Sequence, residues 1–379
     1  MLSRVRGVSQ LVEAAASEAE HANRVSPEVS RALRDAGCFK MAVPAVYGGE
    51  DLPLPVVLSV VEALARADGA VGWVVGQVAL SQMMLSYLPE AALEQIYAAG
   101  PDVRCAGAAA PRGRAVRVDG GWRVNGRWPL VSGALDASWI FLQCLVVEQK
   151  AIQMKQGVPS MRMTVFPADS LAVLDTWDAI GLCATGSHDV EALHVTCSDG
   201  WSAELATSTP HGVISRIPPS AQGGLFVAAA VLGIAAGALD ALSELVAAGK
   251  RPAFSTRALA DQPLFQNEFG EAQLSLSAAR ALLHSECERA DAQAASGDGL
   301  EPLGIARLRA TAVKAIDLAV GFVDVAYRLA GASAVYTSSP LQRRLRDAHT
   351  AAQHFAAGRM FYSPLGALLA GEAVEATLA

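Results

Sequence analysis

The hydrophobic period of this chain changes twice, and that constrains its fold more than any single motif does. Apolar residues recur at helical spacing over residues 8 to 36, where Ser26, Pro27 and Gly37 supply an N-cap, a first-turn proline and a stop. The stretch "PLPVVLSVVEALARADGAVGWVVGQVALSQMMLSYL" continues that period and breaks at Asp68-Gly69 into two further helices. The period then becomes two. "VRCAGAAAPRGRAVRVDGGWRVNGRWPLVSGALDASWIFLQCLVVEQ" sets Asp-Gly-Gly and Asn-Gly turns between alternating Arg, Val and Trp residues, the signal of β-hairpins. After Pro218 and Pro219 the helical period returns and runs almost to the end. Helix, then strand, then helix, with no strand-helix alternation, excludes a doubly wound sheet.

Composition narrows the function classes. Across 379 residues the chain is 52% hydrophobic and 18% charged, which suits a globular protein rich in buried helix. A formal charge of -7 argues against a nucleic-acid partner, because phosphate binding needs clustered Lys and Arg. Cys38, Cys105, Cys144, Cys183, Cys197 and Cys287 show no CxxC and no metal spacing, so they read as reduced thiols and no metal site is expected. The N-terminal "MLSRVRGVSQLVEAAASEAEHANR" has no apolar core of a secretory signal, and a cytoplasmic location is the expectation. The apolar run at 223 to 239 is short for a membrane span, contains glycines and continues into "DALSELVAAGK"; it reads as a buried helix, and no membrane partner is expected. Neither GxGxxG in a strand-helix context nor GxxxxGK[ST] occurs, so any nucleotide or flavin is held by other means.

Four segments carry candidate chemistry. In "WPLVSGALDASW", residues 128 to 139, a Ser132-Gly133 pair at a strand end can present a hydroxyl and backbone N–H groups, and Trp139 can cover a ring; a hairpin turn with two core tryptophans explains the segment equally well. In "TWDAIGLCATGSHDV", residues 176 to 190, Thr185, Gly186 and Ser187 can donate to a phosphate or ribityl chain, against an ordinary loop. In residues 249 to 270, Arg251 and Arg257 can pair with a phosphate or simply face solvent. In "RLRDAHTAAQHFAAG", read as one regular helix, Asp347 and His354 are seven apart and share a face, while His349 points elsewhere.

Taken in order, "LRDAGCFKMAVPAVYGGEDLP", "ADGAVGWVVG", "VSGALDASW", "GLCATGSHDV" and "LRDAHTAAQH" resemble landmarks of the flavin-dependent monooxygenases built on the acyl-CoA dehydrogenase fold, across essentially the whole chain. The resemblance implies an α+β, mainly α architecture. It comprises an N-terminal helical domain over 1–102, a central β-barrel or sandwich domain over 103–206 and a C-terminal four-helix bundle over 207–379. It implies a homotetramer, a small-molecule substrate of phenol or indole type, and reduced flavin, FMNH2 or FADH2, delivered by a separate flavin reductase to react with O2 as a C4a-hydroperoxyflavin. By position, Ser132 matches the serine near flavin N5, Trp139 the tryptophan of that motif, Thr185 and Ser187 the contact to the flavin tail, and His354 the histidine near the oxygen-reactive face. Gly133 and Gly186 belong to the same cofactor-binding turns, Arg251 and the region of Phe254 to a phosphate contact, and His349 to a supporting position. Asp136 stands where many relatives carry His, and Cys183-Ala184 replace a usual Arg-Gly.

True dehydrogenases of this fold need a carboxylate base. At the two places that resemblance assigns to it, this chain has Phe355 and Pro252, which favours oxygen chemistry over dehydrogenation. His354 is the candidate acid or base, with Asp347 as its orienting partner if the helix is regular, and Ser132 guards N5. N-hydroxylation on the same fold, an acyl-CoA dehydrogenase-like oxidoreductase and a flavin-free scaffold subunit are the alternatives.

Overall fold

A computed structural model describes residues 1–155, 157–297 and 299–374. Five helices come first: α1 (Leu2–Ala22), α2 (Pro27–Asp35), α3 (Leu54–Ala67), α4 (Gly69–Leu85) and α5 (Glu90–Ile96). Their starts are written in the sequence. Ser26 Oγ accepts the Val29 N–H at 3.2 Å, and Asp68 Oδ1 accepts the Val71 N–H at 3.0 Å, which is how Asp68-Gly69 ends one helix and begins the next.

The strands follow as β1 (Cys105–Val118), β2 (Gly121–Val131), β3 (Trp139–Glu148), β4 (Ala151–Ile152), β5 (Met154–Lys155), β6 (Val158–Pro159), β7 (Met161–Pro167), β8 (Ala172–Leu174), β9 (His188–Ser198) and β10 (Ser202–Ala203). The main sheet runs β10-β7-β3-β1-β2-β9-β8, with β4 added beside β3. It is antiparallel except for the β1–β3 pair. The sheet is open rather than a closed barrel, and it curls like a sandwich: Cys197 on β9 points its thiol at the Val165 carbonyl of β7. Trp128, Ile140, Leu142, Phe166 and Val190 fill the space it encloses.

The chain then returns to helix: α6 (Pro219–Ala247), α7 (Pro263–Ala295), α8 (Pro302–Ala330), α9 (Pro340–Ala351) and α10 (Tyr362–Leu369). The four longer ones each begin on proline, whose missing N–H costs nothing in a first turn. α6 is long and apolar enough to cross a membrane, yet 78% of its most apolar stretch is buried inside the fold, where it packs on α3 and α8. Gly233 and Gly237 allow the close approach to α3, since a methyl on either would strike the Glu62 or Arg66 carbonyl. One continuous hydrophobic core therefore joins helices from both ends of the chain, while the sheet keeps a core of its own.

The regular helix expected through His354 is not found. α9 ends at Ala351, and His354 has extended backbone, with φ -61° and ψ 138°. Its ring supplies the reason: Nδ1 accepts the Ala356 N–H at 3.3 Å and caps a new short turn over Phe355–Ala357.

Candidate active site

The register of two strands brings the candidate hydroxyls together. Val131 at the end of β2 pairs with His188 at the start of β9, so the residues just beyond, Ser132 and Ser187, face each other. Ser132 Oγ lies 2.7 Å from Ser187 Oγ, which lies 2.7 Å from Thr185 Oγ1. The Gly133 N–H donates to the Thr185 carbonyl at 2.8 Å and locks the two turns together. Gly133 and Gly186 both have positive φ, 72° and 51°, conformations that glycine adopts without strain. Thr185 and Ser187 are buried; Ser132, at the open end of the row, is half-buried.

Trp73, on the second turn of α4, completes the row by donating its Nε1–H to Ser132 Oγ at 3.0 Å. The same indole meets the His354 ring edge-on, with centroids 5.7 Å apart and planes at 72°. His354 in turn lies 4.7 Å from the Phe355 ring. Burial pushes the His354 pKa down to about 4, so the ring is neutral at pH 7. Because Nδ1 accepts the Ala356 N–H, the ring hydrogen resides on Nε2. The ring was expected to titrate near the working pH; burial instead leaves it neutral, with Nε2 carrying the hydrogen.

Asp347 does not orient His354. Its Oδ1 accepts the Leu182 N–H at 2.6 Å, and the break after Ala351 removes the shared helical face. Burial, reinforced by Asp68, pushes its pKa up to about 7, against the pull of the Leu182 N–H, Arg344 and Arg343. One residue earlier, Arg346 donates to the Ile180 carbonyl at 2.6 Å, so α9 grips both ends of the segment that leads into Cys183–Ser187. Between them Gly181 lies so close to the Arg346 carbonyl that no side chain fits. The buried Arg344 reaches the other way, to the carbonyls of Ala65, Arg66 and Ala67 at the end of α3, just before the helix that carries Trp73. At the far end of the loop, His188 Nδ1 accepts the N–H groups of Thr176 and Trp177 at 3.1 and 3.2 Å.

The remaining predicted residues have surroundings of their own. Trp139 stacks on Trp201 at 4.6 Å with planes 9° apart. Arg251 is exposed in the loop after α6, and among the described residues it makes no ion pair. His349 faces solvent and pairs with Asp324 at 2.7 Å. Two further residues, Trp73 in the cluster and Leu130 near Ser132 in sequence, are not singled out by the sequence. Trp73 stood in a quoted landmark without a role; an indole one turn after a capped helix start, among small residues, is the signal that was there. Leu130 had no signal: it is 65% exposed, holds φ 62° at a bulge where β2 and β9 change register, and lies two residues before Ser132.

The row of hydroxyls, with Ser132 at its open end beside the Trp73 indole and the His354 ring, sets polar donors and acceptors against aromatic surface. A flat heteroaromatic group with polar ring atoms, such as a flavin, fits that donor set. Residues 5–97 match the acyl-CoA dehydrogenase N-terminal domain, and residues 225–359 the acyl-CoA dehydrogenase C-terminal domain. An indole-3-acetate monooxygenase from Pseudomonas putida is 30% identical over 360 residues, covering 94% of this chain and 90% of that protein. The chain belongs to the flavin-dependent monooxygenases of the acyl-CoA dehydrogenase fold. This monooxygenase superimposes on the 3-HSA hydroxylase from Rhodococcus sp. RHA1 with a TM-score of 0.93 at 26% identity, covering 100% of this chain and 98% of that one. It superimposes on XiaF from Streptomyces sp., solved in complex with FADH2 and glycerol, with a TM-score of 0.90 at 26% identity over 98% and 95% of the two chains. As an oxygenase component it uses reduced flavin and O2.

The departures noted in the sequence of this monooxygenase have structural partners. Asp136 is held by Arg24 at 2.5 Å and Arg104 at 3.4 Å, at the rim of a narrow cleft between α2, α4 and the Gly133 and Thr185 turns. Ala184 is buried, and the Cys183 thiol points at the Ala179 carbonyl, 3.1 Å away. Phe355 is 66% exposed on the turn that His354 caps.

Proposed function

We propose that this oxygenase hydroxylates a small aromatic compound of phenol or indole type, that a separate flavin reductase supplies its FMNH2 or FADH2, and that the Ser132 hydroxyl row addresses the flavin ring. The observation that carries the proposal is the row itself, because it ends on a half-buried hydroxyl whose other partners are fixed. Reduced flavin supplies the electrons and the ring carbon at which O2 is activated.

The hydroxyls have a preferred direction. If Thr185 donates to Ser187 and Ser187 to Ser132, every buried hydrogen has a partner, and Ser132, already accepting from Ser187 and Trp73, donates outward. In the reverse direction Ser132 offers a lone pair outward, and the buried Thr185 hydrogen loses its partner, at about 1–3 kcal/mol. Ser132 therefore presents a donor or an acceptor at the flavin edge by reversing two neighbours, a choice suited to a ring nitrogen that is an acceptor when oxidised and a donor when reduced. His354, neutral and carrying its hydrogen on Nε2, contributes a hydrogen bond rather than a base. Thr185, Gly186 and Ser187 support the flavin side of the same turn.

We assign Asp347 to holding the 180–187 segment and leave Ser132 and His354 as the residues that meet the reacting groups. Trp139 and Arg251 serve the cofactor only through surfaces away from this cluster, and His349 through its exposed pair with Asp324; a homotetramer is the assembly in which such surfaces are covered. We propose the division at 1–102, 103–206 and 207–379 as the helical, strand and helical domains, with residues 375–379 outside the described residues.

Purified protein mixed with FMNH2 or FADH2 in air, with a panel of phenols and indoles, tests the proposal. Hydroxylated product with little free hydrogen peroxide is the expected result. Peroxide in full yield with every compound, despite flavin binding, overturns it.

A further inference from the structure

We propose that Phe355 is the stacking wall for the aromatic substrate and selects flat rings over saturated ones; this rests on the aromatic-hydroxylase reading above. The Trp73 indole, fixed to Ser132, meets His354, and His354 meets Phe355, so an aromatic series leads from the hydroxyl row to an exposed ring. Trp73 and His354 are held from both sides, whereas Phe355 is 66% exposed.

The turn that carries it explains the exposure. Ala356 and Ala357 are buried, and the Ala356 carbonyl faces Gly224 on α6, so the "HFAA" turn is seated by its two alanines and directs the phenylalanine outward. A chain that buries small residues and exposes the large apolar one beside them forgoes stabilisation that a covering partner would restore. The other strongly exposed phenylalanine, Phe254, sits in the loop after α6 and has no ring contact with the Ser132 group among the described residues. Among the described residues, Phe355 alone combines an open face with a rigid aromatic support. Its partner is a flat ring of the substrate, since offset or edge-on ring pairs are favoured beyond their buried area. A neutral His354 behind it leaves the ring electron-rich and unpolarised by a cation.

The test compares wild type with Phe355→Leu, which keeps apolar bulk but has no ring face, and Phe355→Tyr, which keeps the face. Each is assayed with reduced flavin for KM toward indole and phenol, for affinity toward FMNH2 and FADH2, and for mass by sedimentation. Binding of indole without turnover is measured by saturation-transfer NMR against cyclohexanol as the saturated probe. Phe355→Leu is expected to weaken indole and phenol by about 2- to 12-fold, the size of one ring pair, with cyclohexanol, flavin affinity and mass unchanged and Phe355→Tyr close to wild type. Unchanged indole binding in Phe355→Leu, an equal loss for cyclohexanol, a matching loss of flavin, or a change in mass without a change in binding each overturns the assignment. If wild type hydroxylates none of the aromatic compounds, the aromatic-hydroxylase reading fails, while the indole binding comparison still decides the role of Phe355.

Discussion

Replacing Trp73 with phenylalanine removes one hydrogen-bond donor and leaves a ring in place. The Nε1–H to Ser132 Oγ bond, 3.0 Å long, is neutral and partly buried, so its net worth to stability is about 0.5–1.5 kcal/mol. The smaller ring leaves a void at a site only 9% exposed, adding about 1–2 kcal/mol. A total of about 1.5–3.5 kcal/mol lies within the stability of an ordinary domain, so the variant folds. The effect on function has a different origin. Without the indole donor, Ser132 regains a lone pair and its hydroxyl swings among several directions, so the orientation set by Trp73 and Ser187 is lost. If that orientation is worth about 1.4 kcal/mol, the ratio of hydroxylated product to free peroxide falls by about tenfold. The assay measures both products per reduced flavin consumed. Trp73→Leu, which also removes the edge contact with His354, should be worse than Trp73→Phe, and Trp73→Phe should add little to Ser132→Ala because both act on one oxygen. A Trp73→Phe enzyme with wild-type coupling, or full additivity with Ser132→Ala, would refute the reasoning.

Other perturbations have defined outcomes. Asp347 has its pKa raised from 3.8 to about 7, so the folded state holds its proton longer than the unfolded chain; stability from this group is complete below pH 3.8 and is lost as pH rises toward 7. Asp347→Asn, whose carbonyl still accepts from Leu182, should flatten that slope in urea midpoints measured from pH 4.5 to 8, whereas Asp347→Ala should cost about 1–3 kcal/mol at pH 4.5, with the cost shrinking as pH rises toward 8. His354 has the opposite sign: with its pKa lowered from 6.5 to about 4, its contribution is complete above pH 6.5 and is lost as pH falls toward 4, and His354→Gln should remove that acid sensitivity in the same titration. Glu62 on α3 is held low, burial being outweighed by hydrogen bonds from His284 and Arg280 of α7; Glu62→Leu should lower stability by about 1–3 kcal/mol, read from thermal unfolding.

Much of this candidate site is legible in the sequence, and the parts that are not share a cause. Ser132, Thr185 and Ser187 were visible because short polar residues beside glycine at strand ends have few structural reasons to be there, and the Val131–His188 register then joined them. Asp68 and the four N-terminal prolines fixed helix starts through local chemistry alone. The break before His354 was hidden, because "HTAAQHFAAG" is composed of residues that suit a helix and the capping ring nitrogen competes with helix continuation by only a small margin. That break misassigned Asp347, whose true partner lies 165 positions away in sequence, a distance over which periodicity carries no information. Leu130 was invisible for a related reason: its strained backbone is imposed by how β2 and β9 fall out of register, which only the assembled sheet determines.

The shared helical core sets a schedule for synthesis. α3 is complete at Ala67, but α6, against which it buries its apolar face, begins at Pro219, and the whole sheet is translated in between. While the nascent chain grows through those strands, α1 and α4 can already pack on α3, but the side of α3 around Glu62 and Ala65 that meets α6 stays uncovered. Overexpression strains should therefore accumulate chaperone-bound nascent chains paused before residue 247, and slowing translation across the strands should lower the yield of folded enzyme rather than raise it.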